Sequence, residues 1–99
     1  MRNLLRSEEF DAFYESLDYK VKEKVDYSTK FVKRLEGTDF YEMRISVNNE
    51  YRVIIFTLDD ENFIAAKNVL LLNGFTKKST SDYKPQIKIA EKILIGYSK

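Results

Sequence analysis

The chain has 99 residues, of which 43% are hydrophobic and 33% charged, and a formal net charge of +1. That length fits a single domain, residues 1–99, and the composition is that of a folded globule rather than a disordered segment. Cys and His are both absent, which excludes disulfides, thiolate or imidazole metal sites and a Ser-His-Asp triad.

The acidic residues show no calcium-loop spacing, so no metal or other cofactor is expected. No apolar stretch approaches the roughly 20 residues of a membrane span, so no membrane association is expected. Met1–Phe10 carries charge on both sides of Leu4-Leu5 and does not read as a secretory signal. A cytoplasmic location is the expectation, and the lack of Cys suits it. The near-neutral charge counts against nucleic-acid binding overall, although local distribution matters more than the sum.

In chain order, Ser7 is a candidate N-cap, and Glu8 and Glu9 complement the dipole of a helix whose apolar stripe is Phe10, Phe13, Tyr14 and Leu17. Asp18 offers a second cap. Val21, Val25, Ser28, Val32 and Leu35, widened by Phe31, keep a helical period up to Gly37, which is suited to stopping it. Two helices joined so tightly predict an antiparallel hairpin. Tyr41, Met43, Ile45 and Val47 then alternate with Glu42, Arg44 and Ser46, a strand with one buried face. Asn48-Asn49 forms a turn, and Val53–Phe56 reads as a central strand covered on both sides.

Asp59–Asn62 turns the chain again, and Phe63–Phe75 supplies a third strand, interrupted near Lys67-Asn68. Pro85 suits the first turn of a last helix with Ile89, Ala90, Ile93 and Leu94 on its apolar face and Gly96 at its end. The fold class is therefore α+β: an N-terminal helical hairpin packed on a small antiparallel meander, followed by a C-terminal helix. Leu4-Leu5 is at most the remnant of a further strand.

Arg44, Arg52, Lys77 and Lys78 are the residues whose convergence on one end or face of the sheet would bind a phosphate and stabilise charge on a phosphoryl group. Thr80 and Tyr83 follow near the same edge. The register of the first hairpin decides much of this. A two-residue turn sets Arg44 opposite Val53 and sends the two arginines to opposite faces. A three-residue loop sets Arg44 opposite Arg52, where they repel unless an anion or Glu42 separates them. Turn chemistry slightly favours the first register; a shared cationic site needs the second, or a bulge. The plainer reading is that Arg44 is an ion-paired strand residue with Glu42 as its partner. Lys77-Lys78 is then a solvated loop, and Tyr83 packs beside the last helix.

The stretches "LEGTDFYEMRISVNNEYRVIIF" and "NVLLLNGFTKKSTSDYKPQIKIAEKIL" together resemble the RelE/HigB superfamily of toxins from bacterial toxin-antitoxin pairs, closest to its phage-related HigB-like branch. The matching positions are Leu35, Gly37, Glu42, Arg44, Tyr51, Arg52, Gly74, Phe75, Lys77, Lys78 and Pro85. The resemblance covers residues 35–94. Relative to its pattern, the loop before Pro85 is longer, Lys84 stands where a capping Thr is usual, and the first strand is shortened or missing.

What the resemblance implies is a RelE-like fold and an endoribonuclease that cuts mRNA on the ribosome. The ribose 2′-hydroxyl attacks the adjacent phosphorus, so the nucleophile belongs to the substrate and neither metal nor His is needed. It implies Arg44 and Arg52 at the scissile phosphate, Lys77 or Lys78 for charge or RNA binding, and Glu42 or a lysine as proton acceptor. Tyr83 would position a base, with Thr80 beside it. The implied partner is an antitoxin with a helix-turn-helix domain. Two rivals stand beside this reading: a ParE-like gyrase poison on the same scaffold, and a non-catalytic interaction module.

Overall fold

In the computed structural model, which describes residues 2–27 and 31–97, Ser7 does more than start a helix. Its Oγ accepts from the Phe10 N–H at 2.9 Å, the N-cap bond that opens α1 (Glu8–Glu15), and donates to the Leu72 carbonyl. One buried hydroxyl thus joins the first helix to the sheet beneath it. Asp18 caps α2 (Tyr19–Tyr27) in the same way, its Oδ1 accepting from Val21 N–H at 3.1 Å.

The sheet has five strands: β1 (Asn3–Arg6), β2 (Val32–Arg34), β3 (Tyr41–Val47), β4 (Asn49–Thr57) and β5 (Asn68–Thr76). Their order is β1-β5-β4-β3-β2, with β1 parallel to β5 and the other pairs antiparallel. The three central strands are the expected meander. The edges differ from expectation. β1 is present and pairs Asn3–Arg6 with Asn68–Leu71; a four-residue strand is short enough to escape any alternation signal.

At the other edge, the second helix does not continue to Leu35. Val32–Arg34 pairs with Met43–Tyr41 instead, because a strand on β3's open edge satisfies backbone groups that a longer helix would leave to solvent. Phe31 is exposed rather than part of an apolar stripe. Gly37 serves a turn between β2 and β3, at φ 76°. Ser28, expected on the helix, lies outside the described residues.

α1 lies over β5 and α2 over β3, on one face of the sheet; what they chiefly pack on is the sheet rather than each other. Phe10, Val21, Val25, Met43, Ile45, Val53, Ile55 and Val69 form the core on that side. On the other face, α3 (Tyr83–Tyr97) covers Phe40, Ile54, Leu70, Leu72 and Phe75 through Ile87, Ala90, Ile93 and Leu94. Ile89, expected on that apolar face, is exposed, and the helix runs through Gly96 to Tyr97.

The stretch from Phe63 to Lys67 is not strand. Asp59 accepts from the N–H groups of Lys67 and Asn68, at 3.0 and 2.8 Å, folding the connection into turns, while Phe63 plugs the core against Tyr41. Within β5 a bulge interrupts the pairing: Ile54 faces Asn73 but Ile55 faces Leu71, leaving Leu72 without a partner in the register. Leu72 and Asn73 therefore both serve the α3 side, and Phe75 follows onto it.

Candidate functional site

The site begins with a tight connection. Val47 pairs directly with Asn49, and Asn48 alone turns the chain, at φ 64°. Asn tolerates that left-handed conformation better than most residues. The register that follows is the one local turn chemistry disfavours: Ser46 opposite Glu50, Arg44 opposite Arg52, Glu42 opposite Ile54. Both arginines consequently share the α3 face of the sheet.

Like charges placed opposite each other destabilise a sheet. Glu42 resolves the conflict. Its Oε1 lies 2.9 Å from Arg44 Nε and 3.5 Å from Arg52 Nε, and it accepts from the Tyr83 hydroxyl at 3.0 Å. Arg52 Nε in turn donates to that hydroxyl at 2.9 Å. The carboxylate is 2% exposed and the Arg52 side chain 4%, so this is an ion pair inside the protein; Arg44 is 45% exposed and carries its charge to the surface. The inward edge of Arg52 is thus committed to Glu42 and Tyr83. Its outward edge meets Glu50, with Nη1 and Nη2 each 3.3 Å from Oε1, and Nη1 also donates to the Tyr51 carbonyl at 2.9 Å. Ser46 Oγ holds the other Glu50 oxygen at 2.6 Å.

Tyr83 comes from the start of α3. Its ring meets Phe75 edge-on, with centroids 5.6 Å apart, and Lys77 Nζ stands 5.7 Å from its centroid. Burial pushes the phenol pKa above its ordinary value, aided by the Glu42 carboxylate and opposed by the Arg52 hydrogen bond. The Glu50 carboxyl is held below its ordinary range, first by the Ser46 hydroxyl and then by Arg52 and Lys77 against some desolvation.

Residues 3–94 match a family described as Phage derived protein Gp49-like (DUF891). The chain belongs to that family. It is a family associated with toxin-antitoxin systems. Comparison with curated proteins finds no match.

Of the residues singled out from sequence, this Gp49-like chain brings Glu42, Arg44, Arg52, Tyr83 and Lys77 together. Lys78 and Thr80 stand exposed on the connecting loop, where the local chemistry is that of a helix start. Asp82 accepts from the N–H groups of Lys78 and Ser79, at 2.7 and 2.9 Å, which holds its carboxyl below the ordinary range. The same carboxylate takes up donors that a phosphate would otherwise meet.

Sequence reasoning missed Glu50, Ser46 and Phe75 as members. The signal for the first two was their even spacing with Arg52 and Arg44 along the strands, which is informative only once the register is known. Clefts among the described residues also lie away from this cluster. One of about 580 Å³ sits at the far end of β4, lined by Arg34, Asp39, Asp59, Asp60 and Glu61, and its acidity suits no polyanion. Among the described residues no group of carboxylates is arranged to hold a metal ion, and no helix is long and apolar enough to cross a membrane.

Proposed function

We propose that this chain is a toxin of the RelE/HigB kind from a type II toxin-antitoxin pair, cleaving mRNA on the ribosome by attack of a ribose 2′-hydroxyl on the adjacent phosphorus. The observation that carries the reading is the cluster of Arg44, Arg52 and Tyr83 held around one buried carboxylate, with Lys77 beside the Tyr83 ring, joined to membership of a toxin-antitoxin-associated family. Such a cluster has the parts this reaction needs from a protein: fixed cations for the phosphate, a fixed hydroxyl and an aromatic ring.

In this reading Arg44 and Lys77 meet the scissile phosphate at the surface, and the Tyr83 ring supports the flanking base. Glu42 is a positioning residue, since it lies buried beneath Arg44 and aims both arginines and the Tyr83 hydroxyl. The P–O2′ bond forms as the P–O5′ bond breaks: the 2′-hydroxyl loses its proton to solvent, the 5′-oxygen leaves with a proton from solvent, and Lys77, beside Tyr83, stays charged at the phosphate. Lys78 and Thr80 contribute RNA contacts from the loop. An antitoxin with a helix-turn-helix domain is the partner that would silence the chain.

The test is expression of the chain alone in a bacterial host, with mapping of RNA ends and assay of DNA supercoiling. Growth arrest with new RNA ends at codon-related positions is expected. Arg44→Ala and Lys77→Ala should each lower cleavage at least about a hundredfold, the scale of removing one transition-state charge contact; thermal stability is kept in Lys77→Ala and lowered in Arg44→Ala, which takes a donor from the buried Glu42. Intact RNA with lost supercoiling would move the reading to a gyrase poison. Intact RNA, intact supercoiling and normal growth with folded protein would leave a non-catalytic module, a role that the near-complete internal pairing of Arg52 also fits.

A further inference from the structure

The outward edge of Arg52 is occupied, but poorly used. A guanidinium fork normally takes two oxygens, one for each nitrogen, in short charge-assisted contacts. Here Nη1 gives one proton to the Tyr51 carbonyl at 2.9 Å; its other proton and one from Nη2 share a single oxygen, Glu50 Oε1, and both of those contacts are 3.3 Å long. The other Glu50 oxygen is turned away to Ser46. Glu50 is 50% exposed, whereas Arg52 beneath it is 4% exposed. A carboxylate half open to water holds its partner weakly, because solvent competes for its oxygens. Glu42, on the inward edge, is by contrast buried and bonded to Arg44 and Tyr83 as well.

The surroundings of Glu50 are cationic. Arg44 is the cross-strand neighbour of Arg52. Lys77 lies alongside, its backbone N–H donating to the Glu50 carbonyl at 2.7 Å. A carboxylate and a phosphodiester are both monoanions, so exchanging one for the other leaves the local charge unchanged, while the diester offers the two oxygens that the fork lacks.

We infer that the Glu50 carboxylate is an internal occupant of a phosphodiester seat on the Nη edge of Arg52, and that RNA binds by displacing it into solvent. Glu50 therefore sets the affinity and selectivity of the site, admitting ligands that present two oxygens to the fork and rejecting weaker anions. The inference rests on the reading above only in taking this cluster as the place where phosphate binds.

The test titrates dimethyl phosphate, a phosphodiester without sugar or base, into the full chain and its variants, following the Arg52 Nε–H signal by NMR. Glu50→Gln should bind it about fivefold more tightly, on the scale of losing one weak, solvent-screened competitor. Glu50→Asp keeps the charge but withdraws it by one methylene, and should fall between parent and Gln variant. Ser46→Ala, which frees Glu50 from its anchor, should shift affinity in the same direction. The inference is overturned if the variants bind as the parent does, or if the Gln variant alone gains, which is a general charge effect. It is also overturned if the Arg52 signal does not move on binding. Failure of the chain to cut RNA would sink the nuclease reading and leave this result standing; unchanged diester affinity would do the reverse.

Discussion

A carboxylate as deeply buried as that of Glu42 is tolerated only where donors replace the water it has lost. Arg44, Arg52 and Tyr83 are those donors, and all three reach the same oxygen. Removing the carboxylate leaves Arg52 inside the protein with the half-exposed Glu50 as its counter-charge among the described residues. Glu42→Ala should therefore lower stability by about 3–5 kcal/mol, read as a fall in the urea midpoint, with Glu42→Gln costing less because the amide oxygen still accepts. A loss under 1 kcal/mol would mean that the cluster is looser than its distances imply. At this scale the sequence was informative about pairs and uninformative about groups. Glu42 was legible as a partner for Arg44, two residues along one strand. That Tyr83 and Arg52 share its oxygen depends on contacts across 41 and 31 residues of chain, which no local pattern encodes.

Among the elements, β5 is the one whose irregularity matters most to the site. The unpaired Leu72 sends Phe75 to the α3 face, where it meets the Tyr83 ring. Gly74, next to it, faces the opposite side, and a Cβ there would come within 2.3 Å of the Phe13 ring. Helix α1 thus rests directly on the backbone of β5. Gly74→Ala should cost about 1–3 kcal/mol through overpacking. Combined with Phe13→Ala, the two changes should cost less than their sum in a double-mutant cycle, since the smaller side chain makes the room. Strict additivity would count against the close approach.

Elements with a cap or a clean period were readable beforehand: α1 from Ser7, the start of α2 from Asp18, β3 from its alternation and α3 from Pro85. The edge strand β2 was not. Val32 and Leu35 also fit a helical spacing, and what decides their conformation is the open edge of β3, a neighbour absent from any local window. The hairpin register escaped for a similar reason. Asn48-Asn49 permits a two-residue turn, but the longer ladder from Val47–Asn49 to Tyr41–Ile55 is built on a single turning residue.

Across the whole molecule, a sheet covered on both faces is tied at its corners by carboxylates that accept backbone N–H groups. Asp59 holds Asn68 and Lys67 ahead of β5, and Asp82 holds Lys78 and Ser79 ahead of α3; both are depressed below the ordinary carboxylate pKa by those bonds. Glu50 is depressed as well, chiefly by Ser46. A group whose folded pKa is lowered contributes stability that is present above its unfolded pKa and lost as pH falls through the folded value. The melting temperature should accordingly hold from neutrality to about pH 5 and fall below about pH 4. Asp59→Asn and Asp82→Asn should flatten that fall when melts are compared across pH. A fall that begins near pH 6 would point to other groups.

The parallel pairing of Asn3 with Asn68 has a bearing on how the chain is made. Synthesis delivers β1 some sixty-five residues before its partner, so this strand leaves the translating machinery with β5 not yet made. Tyr83 arrives later still, and without it the Arg52–Glu42 pair lacks its hydroxyl. A nascent chain halted anywhere before that residue lacks the assembled cluster. The cluster around Glu42 is therefore assembled only once the chain has been made through the start of α3, whatever that cluster goes on to bind.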